Sequence, residues 1–428
     1  MINDILAITC LLTMVVFLFV LIYYTIIKKH NYFSSATFIA VGILIPLVLY
    51  FAKWSNIITQ EPSGAFYWIF ICLFGLSAFF QVNTKSELLC TQEIVFKNGM
   101  MKLIPLANLF WIVCILLNNK IVSGYFFPSL SHIDMHAQNA SVILHFVRST
   151  FAVIALDIIA WFKTKKFRYL ILALSLIAVP VISTSDRMVP TEAALCGLSF
   201  FLFMLLSGYG KKQAKTLQRR KLKPYQIILV VLLVLLIAYA MISVGIYRAS
   251  HFGKYTISYA RTIGYTGPFG EFGAWIYGYF VLSINNLNQS IIAGAENPNF
   301  IGLYSFSSLF FGLLQFDNLF GIKGGAAQFS SAFTLHEATV PTGLWNFYYD
   351  YSVMCFIPMI VAFVKELWLR QQARKSPKKL IWCALYFYYI PEWFFMGFTN
   401  TIFSATGLTA GILIYILLTL FLEKENQI

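Results

Sequence analysis

The chain has 428 residues, of which 59% are hydrophobic and only 11% charged, and its mean hydropathy is +0.74. A soluble globule of this size cannot hide that much apolar surface, so the composition excludes an ordinary soluble enzyme and predicts an all-α polytopic membrane protein. The formal charge of +14 would suit nucleic acid, but the basic residues gather in short stretches beside the apolar runs, the placement that sets membrane topology.

Eleven apolar segments are long enough to cross about 30 Å of hydrocarbon as helices rising about 1.5 Å per residue. They fall at 4–27, 35–54, 65–83, 101–118, 139–161, 168–184, 188–208, 225–246, 351–369, 379–398 and 403–422. The sequence thus predicts one membrane-embedded domain, 1–428, with no separate soluble domain. The first segment lacks a small-residue cleavage site and is long enough to span, so it reads as a retained helix rather than a removed signal. The longest interval without an obvious span is 247–350, between the eighth and ninth helices. Within it, 274–292 and 303–316 are apolar enough to lie in the interface or to form a further hairpin, and either choice preserves the topology elsewhere.

With the N-terminus outside, 23 of the 31 basic residues fall in inner loops, among them Lys163, Lys165, Lys166 and Arg168 and a run between Lys211 and Lys223. The outer segments carry Lys53, Lys120, Arg187, Arg248, Lys254, Arg261 and Lys323, while Arg148 falls inside the fifth helix. This asymmetry makes 247–350 an extracytoplasmic lid and puts the C-terminus inside. Cys10, Cys72, Cys114, Cys196, Cys355 and Cys383 lie in the spans and Cys90 outside them. No CxxC or Cys/His metal spacing occurs, so neither a disulfide framework nor a metal or cofactor site is expected.

Topology selects against Lys and Arg outside, which makes the outer arginines informative. Arg187, Arg248 and Arg261 either grip lipid headgroups and loop carboxylates or build an anion site, since guanidinium meets a phosphate or diphosphate bidentately and Lys does not. The stretch Ser183–Glu192 reads as a tight outer turn between the sixth and seventh helices. Pro190 suits a first helical turn, Asp186 can cap it, and the helix N-terminus adds a positive end beside Arg187. A plain surface pair of Asp186 with Arg187 is the alternative. Arg148 and His145 lie in the outer half of the fifth helix, where a charge is costly unless it faces a partner, a polar cavity or the interface. Asp157 lies nearer the inner end, within reach of the inner loops, and Glu392 follows Pro391 among aromatic residues as a structural or cavity-lining group.

After the eighth helix, Arg248, Lys254 and Arg261 interleave with Tyr255, Tyr259 and Tyr265. Tyrosine faces stack on sugar rings, or else belong to the interfacial aromatic belt. Glu271, Glu296, Asp317, His336, Glu337 and Asp350 could each supply a general base, and histidine is the side chain that titrates nearest neutrality. A hydrogen-bonded loop histidine is the alternative for His336. No Ser/His/Asp motif, paired-carboxylate spacing or phosphate-loop glycine spacing occurs, which leaves hydrolase and nucleotide-binding chemistry without support.

The pattern resembles a family, the Wzy-type oligosaccharide repeat-unit polymerases of O-antigen and capsule synthesis. Val181-Ile-Ser-Thr-Ser-Asp-Arg187, ahead of an apolar helix, is similar to the family's Ser/Gly-Ser-Arg turn. Pro341-Thr-Gly-Leu-Trp-Asn-Phe-Tyr-Tyr-Asp350-Tyr resembles its aromatic-Asp approach to the next helix, which follows at Met354–Phe363. Helix count and topology are similar too. The chain departs from the pattern at Asp186, where a small residue is common, and at Tyr351-Ser-Val, where a glycine often accompanies the Asp.

The resemblance implies a glycosyltransferase-C-like, metal-independent enzyme of the bacterial inner membrane, with a periplasmic N-terminus and a cytoplasmic C-terminus. A glycan growing on undecaprenyl diphosphate would pass to the non-reducing sugar of a newly flipped repeat unit. The partners would be the lipid-linked donor and acceptor, membrane lipid and a chain-length-regulating membrane protein. Fixed guanidiniums would stabilise the departing lipid diphosphate. Arg187, Arg248 and Arg261, together with Lys254, Arg148, Tyr255 and Tyr259, are therefore expected to bind substrate, and His336, Glu192 and Asp350 to serve in catalysis. An O-antigen-ligase-type transferase would differ in its acceptor. A lipid-linked oligosaccharide flippase should show paired repeats and a charged path through the helices, and no internal repeat is evident.

Overall fold

The computed structural model describes residues 2–27, 33–84, 95–128, 143–183, 188–206, 258–294, 302–306, 342–376, 378–397, 402–403 and 405–423. These are helical almost throughout: α1 (Ile2–Ile22), α2 (Ser35–Phe51), α3 (Gly64–Asn83), α4 (Met100–Ser123), α5 (Ile143–Arg148), α6 (Thr150–Thr164), α7 (Arg168–Ser183), α8 (Met188–Leu206), α9 (Tyr259–Thr262), α10 (Gly270–Ile292), α11 (Leu344–Tyr351), α12 (Phe356–Lys375), α13 (Lys379–Tyr389), α14 (Glu392–Phe395) and α15 (Ala405–Phe421). Among the described residues α1, α3, α4 and α8 are long and apolar enough to cross a membrane, and α11 with α12 would make a fifth span if the bent pair counts as one. The shorter apolar helices α2, α7 and α15 occupy three further expected spans. The chain is an α-helical membrane protein on these grounds, and the expected span 225–246 lies outside the described residues.

Three expected spans are interrupted, each for a local reason. The helix expected over 139–161 breaks at Ser149, whose hydroxyl donates to Phe146 O at 2.8 Å and whose N–H bonds the same carbonyl. The helix expected over 379–398 breaks before Pro391, which has no N–H to continue the ladder. The helix expected from 351 starts at Phe356, because α11 and α12 meet at 118°. At that bend Ser352 sits at φ 47, a conformation few residues with a side chain adopt.

The chain divides into two compact units. The first comprises Met1–Glu87, Tyr255–Leu367 and Tyr389–Ala405. In it α1 lies along α3, joined by contacts such as Phe17 on Phe74, whose ring centroids are 5.2 Å apart. The other face of α1 leaves Ile2, Ile5, Ile8, Leu12 and Phe19 exposed, a surface suited to lipid rather than water. The helix α2 opens into a wider π turn over Ala40–Leu44. A Cβ on Gly42 would stand 2.5 Å from Phe394 O, so the turn after Pro391 packs backbone to backbone on α2 and admits no side chain there. The helix α10, left open by the sequence as an interfacial segment or a hairpin arm, is one 23-residue helix with most of its length buried in this unit. Asn288 ties it down: its amide nitrogen donates to Tyr50 OH (3.2 Å) and Glu61 O (3.3 Å), and its oxygen accepts from Ser63 N (3.1 Å).

The second unit comprises Leu88–Lys254, Trp368–Tyr388 and Thr406–Ile428. Here α6 runs through the centre, with α4, α5, α7 and α8 packed around it. Nearly every residue from Thr150 to Phe162 is buried. Phe151 packs on Phe200 and stacks on Tyr388, each with ring centroids 6.0 Å apart. A smaller apolar cluster of Ile115, Val147 and Val189 joins α4, α5 and α8 at the end of the unit where α7 stops and α8 begins.

Candidate functional site

That end of the second unit holds an ion pair and several hydrogen-bonded polar side chains. Arg148 is the last residue of α5, and Glu192 lies in the first turns of α8. Arg148 Nη1 donates to Glu192 Oε2 at 2.7 Å, with the two side chains 15% and 8% exposed. The helix break at Ser149 lets the guanidinium reach across to α8. The apolar trio Ile115, Val147 and Val189 packs beside it. Asn119, buried near the end of α4, donates to Ser183 Oγ at 3.1 Å, so the last residue of α7 is fixed to α4. Trp111 Nε1 donates to Phe146 O at 2.9 Å and holds the approach to Arg148. The turn expected to present Arg187 connects α7 to α8, and Arg187 itself lies outside the described residues. The sequence named both Arg148 and Glu192 without foreseeing that they pair. Glu192, expected as a catalytic group, has its carboxylate bound to Arg148, and the two form a rigid ionic unit.

The first unit places Asp350, Tyr259 and Arg261. The Asp350 carboxylate is fully buried in α11 and accepts N–H bonds from Tyr304 (3.0 and 3.1 Å) and Ser305. It anchors a turn, the work of a buried carboxylate whose oxygens face backbone donors. Glu271 does the same at the start of α10: its oxygens accept from Tyr259 N (2.8 Å), Ala260 N (3.0 Å) and Trp275 Nε1 (3.1 Å), capping α9. Tyr259 is buried and stacks on Trp275 with centroids 4.4 Å apart, so its ring packs within the protein. Arg261, two residues on, is exposed. His336, Arg248, Lys254 and Tyr255 lie outside the described residues, as do Glu296, Asp317 and Glu337.

One charged group was assigned to the wrong setting. The sequence puts Lys365 in an inner loop, yet it lies midway along α12. Its Nζ stands 3.9 Å from Glu392 Oε2, donates to Ile402 O at 3.0 Å and lies 3.6 Å from the centre of the Tyr389 ring. A cation held by a carboxylate, a carbonyl and an aromatic face is well compensated away from water. Pro391 was the available signal, since a break beside a buried Glu calls for a cationic partner. Among the described residues no group of three or more His, Cys, Asp or Glu side chains could hold a metal ion. No family model matches the chain, and neither do the curated proteins or the solved structures.

Proposed function

We propose that the chain polymerises lipid-diphosphate-linked oligosaccharide repeat units at the outer face of a bacterial inner membrane. In this reading it is a glycosyltransferase-C-like enzyme of eleven spans, with the segment 247–350 as an outer lid. The observation that carries it is the Arg148–Glu192 unit, placed where α7 gives way to α8 and the Arg187 turn begins. A guanidinium fixed by a carboxylate is a preorganised positive charge, the kind of group that stabilises a diphosphate as the glycosidic bond breaks. Arg187, which precedes Glu192 by five residues in the chain, is assigned a second positive charge toward the same group. Arg248, Lys254 and Arg261 are assigned to anionic substrate groups, Tyr255 to a sugar face, and His336 to proton removal from the acceptor hydroxyl. Asp350 and Tyr259 act as anchors of the fold within the first unit. Undecaprenyl-diphosphate-linked donor and acceptor, bilayer lipid and a chain-length regulator are the partners.

The surface-glycan ladder of a deletion strain tests this. A single repeat unit on the lipid core is the expected result. Polymer that accumulates on its lipid carrier without attachment would identify a ligase instead. Single units retained on the cytosolic face would identify a flippase, the reading that the charged pair Lys365–Glu392 within the helices favours. In Arg187→Ala, Arg248→Ala and Arg261→Ala chains expressed at the wild-type level, wild-type polymer length in all three would remove the diphosphate role. Arg→Lys should restore length only in part, because the fork geometry is lost.

A further inference from the structure

Asp157 was expected to reach the inner loops. It is instead fully buried in the middle of α6, where Asn108 of α4 meets it. Asn108 Nδ2 donates both to Asp157 Oδ1 (3.2 Å) and to Ile104 O (3.0 Å), which uses its two N–H groups. That leaves Asp157 Oδ2 and Asn108 Oδ1, both buried and both without a hydrogen-bond partner. Two adjacent acceptors with no donor, cut off from water, are each costly, and an isolated carboxylate charge there costs far more.

The surrounding charges do not relieve it. Lys163 lies further along α6. The helices packed on α6 carry Lys102 and Lys120 (α4), Arg148 (α5), Arg168 (α7), Glu192 (α8) and, on α13, which meets α6 through Tyr388 and Phe151, Lys379. None of these bonds to Asp157. Arg148 is paired with Glu192, Arg168 donates to Tyr169 OH, and Lys120 donates to Gly124 O.

We infer that Asp157 and Asn108 form a proton-binding site, in which the Asp157 carboxyl is carried as the neutral acid and its O–H is the donor that Asn108 Oδ1 lacks. One proton satisfies both stranded oxygens and removes the buried charge. The site is chemically separate from the Arg148–Glu192 unit, and it stands whether or not the chain handles glycans. It adds to the protein a titratable group that is insulated from water by the helices around it.

The test is infrared spectroscopy of the purified full chain in lipid at neutral pH, wild type minus Asp157→Asn. A protonated-carboxyl C=O band present in wild type and absent in the variant is expected. A carboxylate band in its place would overturn the inference. If Asp157→Asn fails to fold, wild type alone decides through reaction with dicyclohexylcarbodiimide, which needs the acid form. The acid O–H adds across one C=N bond, proton to nitrogen and oxygen to carbon, and the acyl group then migrates to nitrogen with no leaving group. An adduct on the Asp157 peptide at neutral pH supports the site. Adducts confined to other carboxyls refute it.

Discussion

Removing one member of the Arg148–Glu192 pair gives the sharpest test of how the second unit is held. The contact is 2.7 Å long, and the side chains are 15% and 8% exposed. With the charges about 4 Å apart and an effective dielectric of about 20, their attraction is ~4 kcal/mol. Desolvation of two mostly buried groups takes back part of that, which leaves a net coupling of ~2 kcal/mol. Glu192→Leu or Arg148→Met alone should cost more, ~3 kcal/mol, because each strands a charge away from water. The double variant should regain most of that loss, since apolar residues can replace a buried pair at little cost. The assay is a double-mutant cycle read by SDS-titrated unfolding in mixed micelles. Single-variant losses that add within ~0.5 kcal/mol would refute the pair as a desolvated ionic contact.

Three further outcomes follow from the geometry. Asp350→Asn should lower stability by ~1.5–3 kcal/mol, because a charged acceptor of the Tyr304 and Ser305 N–H groups is lost; unchanged hydrogen exchange at Ser305 N–H would contradict this. Gly42→Ala puts a Cβ 2.5 Å from Phe394 O and should cost ~1–3 kcal/mol by overpacking; the melting temperature in micelles checks it. Arg261→Ala, at an exposed position, should leave the melting temperature unchanged, and under the proposed function it shortens the surface glycan.

Much of the helical outline was legible because apolar runs of span length leave little else to form. The sequence read 4–27, 65–83, 101–118 and 188–208, and α1, α3, α4 and α8 lie there. The interruptions were harder to read. Ser149 breaks a helix through its own side chain, and Ser permits a helix as readily as it ends one. The helix α10 was ambiguous because Asn285, Asn286 and Asn288 lower its hydropathy although all three are buried. Pairings were the least legible. Arg148 and Glu192 stand 44 positions apart, and Ser305 and Asp350 stand 45 apart. No local period encodes such a contact, since it exists only once the helices have packed. Asp350 was singled out for its charge beside aromatics, and the fold uses that charge to hold a turn.

The Asp350 clamp has a consequence for how this chain can vary in length. By bonding Ser305 to α11 it closes a ring of covalent chain whose circumference is the 45-residue separation of the two residues. Closing a ring costs entropy only logarithmically in its length, ~0.6 kcal/mol for each doubling. The join therefore sets the energetic cost, and the number of residues threaded between its ends hardly matters. Insertions between 306 and 341 should be far cheaper than any substitution at Asp350 itself, since that one buried carboxylate fixes both ends of the interval.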